Sequence, residues 1–243
     1  MNTNAQDAGQ GIGVLVHGAT GRMGQAVLRL AAEHPACHIV GAVSQRVSQR
    51  VIDGIPQFSA SELHGAPPFD VAIDFSLPGA FGGILAACLE HGAALVSGTT
   101  GLGEPDVAAM ATAGLRIPII WSSNFSLGVA VLTSLVDRAA RALPGWDCDI
   151  IEAHHKAKRD APSGTALSLG DALIATGATP RYASIRAGDI VGDHTVQFTT
   201  DGERLELTHR ASNRDIFARG ALHAAGWIAH RQPGLYSLRD IVG

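Results

Sequence analysis

The stretch Gly13-Val14-Leu15-Val16-His17-Gly18-Ala19-Thr20-Gly21-Arg22-Met23-Gly24 decides the fold. Residues 13–16 form a short apolar run, three glycines follow at three-residue spacing, and Met23, Val27, Leu30 and Ala31 then recur at helical spacing. This reads as strand, glycine turn and helix, and the apolar run 39–43 closes a βαβ unit. An apolar run without alternation marks a parallel strand covered on both faces. The glycines permit a tight turn and close backbone approach, so the first amides of the helix can face a pyrophosphate. GxxGxxG by itself is a weak signal, but its position at the first βα junction makes it a dinucleotide-binding turn. The contacts expected there are Gly18, Ala19, Thr20, Gly21, Arg22 and Met23.

The same style continues outward. Strands are expected at 71–75, 94–96 and 117–121 and helices at 80–91 and 105–114, an alternation that specifies a doubly wound, Rossmann-like parallel sheet. Beyond residue 125 the pattern changes to a long helix at 127–143, a strand at 148–153, a polar loop, and antiparallel strands within 183–209 that turn at Asp201-Gly202. A helix at 216–230 ends the pattern. The fold class is therefore α/β with a second α+β domain whose sheet is mixed or antiparallel. The expected division is 1–125 with 214–243 as the dinucleotide-binding domain and 126–213 as the second, a size that suits a chain of 243 residues.

Composition narrows the function. A formal charge of -4 gives no broad attraction to nucleic acid, whose binding relies on basic surfaces. Three widely spaced cysteines without CxxC suggest neither a disulfide framework nor a zinc cage, so no metal is expected. No segment approaches the roughly 20 apolar residues of a membrane span, and the first eleven residues lack an apolar signal core, so a cytoplasmic protein is expected.

Cofactor choice turns on the end of the second strand, where an acid bonds the ribose 2′-hydroxyl and an arginine accommodates a 2′-phosphate. Ser44, Gln45 and Arg46 stand there without a carboxylate, which points to NADPH through Arg46, with NADH also open. The Tyr-x-x-x-Lys pair of short-chain dehydrogenases is absent, since Tyr182 is followed by Arg186 and Tyr236 by Asp240.

The only two lysines, Lys156 and Lys158, fall in the loop Glu152-Ala153-His154-His155-Lys156-Ala157-Lys158-Arg159-Asp160-Ala161-Pro162-Ser163-Gly164-Thr165-Ala166. Ser163 reads as the N-cap of a helix whose first amides, at Gly164 and Thr165, form an anion site. Cations converging on such a site imply a small, multiply negative substrate, most simply a dicarboxylate, and a histidine or a lysine crowded by other cations can supply protons.

These motifs, GATGRMG, SGTTG at 97–101, SSNFSLGV at 122–129, EAHHKAKRDAPSGTAL at 152–167, IRAGDIVGDHTVQF at 185–198 and ELTHRASNRDIFARGAL at 206–222, resemble the dihydrodipicolinate (4-hydroxy-tetrahydrodipicolinate) reductase family of diaminopimelate and lysine synthesis. The resemblance implies NAD(P)H-dependent reduction of a cyclic dicarboxylate by a homotetramer assembled through the second domain. It implies His154 as general acid, Lys158 as second proton donor, and His155 with Gly164 and Thr165 as the carboxylate site. Gly98, Thr99, Thr100, Ser122, Ser123, Asn124 and Phe125 take the positions of the nicotinamide end. Gln45 and Leu77 depart from the pattern. Two other readings stay open at this stage: an NADPH-sensing regulator on the same fold, and a reductase of another small dicarboxylate.

Overall fold

The computed structural model describes residues 11–243. They fall into two compact units, one running to Phe125 and taking up Phe217–Ile241, the other formed by Ser126–Ile216 with Val242–Gly243.

The first unit opens with β1 (Ile12–His17), α1 (Arg22–Ala31) and β2 (Cys37–Ser44). It continues through β3 (Val51–Ile52), β4 (Ile55–Ser59), a 3₁₀ segment at Ala60–Gly65, β5 (Val71–Asp74), α2 (Pro78–His91), β6 (Ala94–Ser97), α3 (Glu104–Ala113) and β7 (Pro118–Trp121). The second unit brings α4 (Leu127–Ala142), β8 (Asp147–His154), α5 (Gly164–Ile174), β9 (Arg181–Arg186), β10 (Gly192–Thr200) and β11 (Glu203–Ala211). The chain then runs through α6 (Asp215–Ile228), β12 (Gly234–Tyr236) and α7 (Leu238–Val242).

The first sheet has the order β12-β7-β6-β5-β1-β2-β4-β3, and every neighbouring pair is parallel except β3 with β4. β5 and β6 are buried at every position, which is why their sequences are apolar without alternation up to the last residues, Asp74 and Ser97. Leu15, Ala72, Leu95 and Ile119 of the sheet pack with Phe81, Ile84 and Cys88 of α2 and Met110 of α3. The strand order reverses at β1, which has β2 on one side and β5 on the other, so a crevice is expected beyond the C-terminal ends of β1 and β5. Those ends are His17 and Asp74, paired in register.

The second sheet has the order β11-β10-β8-β9. β8 and β10 alternate, presenting Cys148, Ile150, Val196 and Phe198 to Leu132 and Val136 of α4 and Leu169 and Leu173 of α5. The expected hairpin is β10 to β11, with Thr200 opposite Glu203. Residues 181–186 depart from the antiparallel expectation: β9 runs parallel to β8. The cause is α5, which carries the chain back along the sheet, so that β8, α5 and β9 make a βαβ crossover and the sheet is mixed. The pattern reading also passed over β3, β4, the 3₁₀ segment and β12, each too short to show a period.

No helix among the described residues is long and apolar enough to cross a membrane. Cys37, Cys88 and Cys148 are buried free thiols.

Candidate active site

In the first unit the glycine turn is held against the sheet by two bonds, from the amides of Gly18 and Ala19 to the Val43 carbonyl, each 3.0 Å. Gly18 has φ +79°, and a Cβ on Gly24 would stand 2.3 Å from the Gly18 carbonyl oxygen, so both positions require glycine. α1 begins at Arg22 with no side-chain cap at Gly21, and its first internal bond is that of the Gln25 amide to the Gly21 carbonyl. The amides of Arg22, Met23 and Gly24 therefore precede the ladder, which is the condition for an anion site. Beside the turn a cavity of about 800 Å³ is lined by Gly18, Thr20, Gly21, Ser44, Gln45 and Leu77, among others. The turn and the cavity fit the phosphates and adenosine half of a dinucleotide.

Beneath the turn lies a polar network that the sequence reading missed. Asp74, fully buried, accepts from His17 Nδ1 (2.8 Å), the Ser76 amide (3.1 Å), Ser97 Oγ (2.8 Å) and Thr99 Oγ1 (2.8 Å). Burial opposes ionisation of Asp74, but these bonds, led by His17, outweigh it and hold its carboxyl below the usual range. Thr99 is fixed again by Trp121 Nε1, which donates to its carbonyl at 2.9 Å.

The other residues expected near the cofactor fall as follows. Ala19 is buried and Thr20, Gly21 and Arg22 are exposed, with Met23 between. Gln45 lines the cavity; Arg46 is exposed, outside the lining set, and its carbonyl accepts from Ser44 Oγ at 2.8 Å. The Gly98 amide donates to the Asp74 carbonyl at 2.8 Å, and Thr100 is exposed. Ser122 Oγ donates to the Asn124 carbonyl at 2.8 Å, Ser123 is exposed, and Phe125 is buried with its ring edge-on to Phe75.

In the second unit His154 ends β8, two residues from Glu152 and on the same buried face of the strand. Glu152 Oε2 lies 2.6 Å from His154 Nδ1, and Arg186 of β9 closes a two-point ion pair on Glu152 at 2.8 and 2.6 Å. Burial works against the Glu152 charge, but hydrogen bonds from Arg186, Ser184 and His154 override it and bring its pKa to about 2. An ionised Glu152 only accepts, so His154 carries its proton on Nδ1 and leaves Nε2 for chemistry. A Cβ at position 192 would lie 3.0 Å from that Nε2, which explains Gly192.

Arg186 also donates to the Asp160 carbonyl at 2.7 Å, pinning the loop. In that loop Lys158 pairs with Asp160 at 2.8 Å, so the expectation of a lysine crowded by cations is corrected: its nearest charge is an acid two residues on. His155 Nε2 accepts from Arg214 at 3.3 Å. Ser163 caps α5 as expected, accepting from the Ala166 amide at 3.2 Å, and places Gly164 and Thr165 in its first turn. Ser163 Oγ is also 3.0 Å from Nε2 of His194, whose pKa burial and the neighbouring His154 lower to about 4.

Glu152 stood in the quoted loop, and its i, i+2 relation to His154 on a strand was a readable signal. Arg186, His194, His17 and Asp74 come from strand pairings across 32 to 57 residues, which no local pattern reports.

A Rossmann-like unit with an uncapped glycine turn, together with a unit that fixes a histidine on a buried carboxylate beside a serine-capped helix, defines an NAD(P)H-dependent oxidoreductase. Models of the N-terminal and C-terminal parts of dihydrodipicolinate reductase match residues 12–125 and 128–242. The chain belongs to the dihydrodipicolinate reductase family. It is 66% identical over 230 residues to 4-hydroxy-tetrahydrodipicolinate reductase of Xanthomonas campestris pv. campestris (strain B100), covering 94% of this chain and 97% of that one. It is 57% identical to the protein of that name from Xylella fastidiosa (strain 9a5c), with the same coverage. A solved dipicolinate-bound dihydrodipicolinate reductase from Paenisporosarcina sp. TG-14 matches the fold with TM-score 0.82 at 21% identity, over 96% of this chain and 100% of that one.

Proposed function

We propose that this chain reduces 4-hydroxy-tetrahydrodipicolinate to tetrahydrodipicolinate with NAD(P)H, in diaminopimelate and lysine synthesis. The observation that carries the reading is His154 held by Glu152 and Arg186 in the unit whose α5 begins at Ser163-Gly164-Thr165. A bound nicotinamide cofactor supplies the hydride. The reaction also takes up one proton and releases one water: one proton leaves with the hydroxyl, one is lost from the neighbouring ring carbon, and one is added to the ring with the hydride.

One substrate carboxylate sits on the first amides of α5, with His155 beside it. The developing negative charge on the ring is met by donors already in place, which lowers the barrier more than flexible groups could. His154 first takes a proton on Nε2 and then gives that proton up, returning to the Nδ1–H form bonded to Glu152, and Arg186 keeps that carboxylate paired throughout. Lys158 is the second proton donor and leaves Asp160 to face the substrate.

At the first unit, the turn 18–23 takes the pyrophosphate, and Gly98, Thr99, Thr100 and residues 122–125 take the nicotinamide end. Arg46 takes the 2′-phosphate, so NADPH is preferred over NADH. The face of the second sheet turned away from α4 and α5 carries Ile151, Ala153, Ile185 and Thr195, with Ile185 49% exposed, which supports a homotetramer built through that face. Three buried free thiols suit a reducing cytoplasm.

The test couples pyruvate and aspartate semialdehyde through the preceding synthase and follows loss of reduced cofactor, with NADPH and NADH in parallel. Rapid, synthase-dependent oxidation is expected. No oxidation by a protein that binds NADPH would exclude this substrate, and sedimentation of a single copy would exclude the tetramer.

A further inference from the structure

His194 touches both parts of the second unit's site, the imidazole of His154 and the start of α5, yet takes no part in the proton transfers. It lies on β10 opposite Glu152 of β8 and His209 of β11, and it is 4% exposed. Its Nε2 stands 3.0 Å from Oγ of Ser163, the residue that caps α5. Its ring meets the His154 ring edge-on, with centroids 5.1 Å apart and planes at 75°. The other nitrogen, Nδ1, is buried without a hydrogen-bond partner among the described residues.

An imidazole is a costly filler for such a place, since a buried polar atom left unpaired destabilises the fold. What it adds over an apolar ring is the contact with Ser163. A serine side chain turns between three staggered positions, and capping a helix needs one of them. The Ala166 amide holds Oγ in that position at 3.2 Å, and His194 holds it again from the sheet. The internal ladder of α5 opens with the Leu167 amide on the Ser163 carbonyl at 2.9 Å, so Gly164 and Thr165 precede it and their placement follows that of the cap. The groups that face His194 are Glu152 and His154 from β8, His209 from β11, Lys158 from the loop and Ser163 from α5. Burial and the neighbouring His154 keep the ring uncharged at neutral pH, so it adds no cation beside a histidine that takes up a proton.

We propose that His194 is a positioning residue of the dicarboxylate site: its contact with the Ser163 cap sets where the first amides of α5 lie relative to the His154 ring. Buried as it is, it acts through Ser163 and not on the substrate. Without the contact the cap and the two amides behind it shift against His154, and a carboxylate bound there loses part of its hold. The effect falls on substrate binding more than on the chemical step. The proposal rests on the reading of α5 as the carboxylate site of a reductase.

Steady-state kinetics of the full chain in the synthase-coupled assay, with the substrate varied at saturating NADPH, tests it. His194→Phe keeps a ring against His154 and removes Nε2; KM for the substrate is expected to rise about 10-fold, with kcat lowered less than about 3-fold and NADPH affinity as in wild type. His194→Gln, whose amide nitrogen is as many bonds from Cα as the imidazole Nε2, is expected to bring KM back to within about 3-fold of wild type. Ser163→Ala is expected to raise KM at least as much as His194→Phe, and the double variant no further than Ser163→Ala, because the two residues act through one contact. An unchanged KM in His194→Phe, no recovery in His194→Gln, or full additivity in the double variant overturns the inference, even where the unfolding midpoint falls. His194→Ala takes the place of His194→Phe, under the same expectations, should the phenylalanine not fold. Wild type without synthase-dependent oxidation overturns the reductase reading itself, so the two failures are distinct.

Discussion

Each unit fixes a histidine by Nδ1 on a buried carboxylate at the end of a strand, His17 on Asp74 at 2.8 Å and His154 on Glu152 at 2.6 Å. The carboxylates differ in what else they hold. Asp74 takes its other bonds from two hydroxyls and an amide, whereas Glu152 is gripped at both oxygens by the Arg186 guanidinium. A buried carboxylate left without a cation is costly, and Arg186 removes that cost when His154 gives up a proton. Orientation of an imidazole thus needs only the carboxylate, while turnover of its proton is helped by a second cation. The His154 site has both, and suits a group that cycles; the His17 site has only the first, and suits a fixed orientation.

The largest test removes the cycling group. His154→Gln and Lys158→Ala are each expected to lower kcat by about 100- to 10,000-fold while cofactor affinity stays as in wild type. Steady-state kinetics with calorimetric cofactor binding checks this, and near-normal turnover in both would remove the proposed roles.

Arg186→Met attacks the difference between the two carboxylates. It strands Glu152, 1% exposed, without its guanidinium, and is expected to cost about 3–5 kcal/mol in denaturant unfolding as well as activity. A stability close to wild type would mean that Glu152 does not depend on its cation, and the contrast with Asp74 would collapse.

The pH dependence of stability sharpens the comparison further. The His194 pKa is lowered in the folded state to about 4, so its contribution is complete above the unfolded value near 6.5 and is lost as pH falls from there to about 4. Glu152, depressed to about 2, contributes fully above its unfolded value near 4.5 and loses that contribution as pH falls toward 2. Unfolding midpoints followed from neutral pH downward should therefore fall in two stages, and His194→Asn should flatten the upper one.

The smallest effect expected is at Arg46, an exposed side chain. Arg46→Ala should shift the NADPH to NADH ratio of kcat/KM toward NADH by about 10-fold, with little change for NADH itself. An unchanged ratio would take the 2′-phosphate away from Arg46.

Sequence carried the architecture because strands, helices and the glycine turn are local and repeat with short periods. The five parallel strands β1, β2, β5, β6 and β7, the Ser163 cap and the Asp201-Gly202 hairpin were all visible as patterns of neighbours. The direction of β9 was not, since an exposed six-residue edge strand carries no signal of which partner it will meet. Lys158 shows the same limit in the site: its loop reads as a run of cations, yet the folded loop turns it to Asp160.

What the sequence alone determined is the set of groups available: a glycine turn at a βα junction, a loop with His154, His155 and Lys158, and a helix start at Gly164. What the tertiary structure decided is the state of those groups. Strand pairing sets Asp74 beside His17, 57 residues away, and Arg186 upon Glu152, 34 residues away. The reason is physical: hydrogen bonding and burial fix which nitrogen holds a proton, and both depend on neighbours that the chain brings together only when the sheets form.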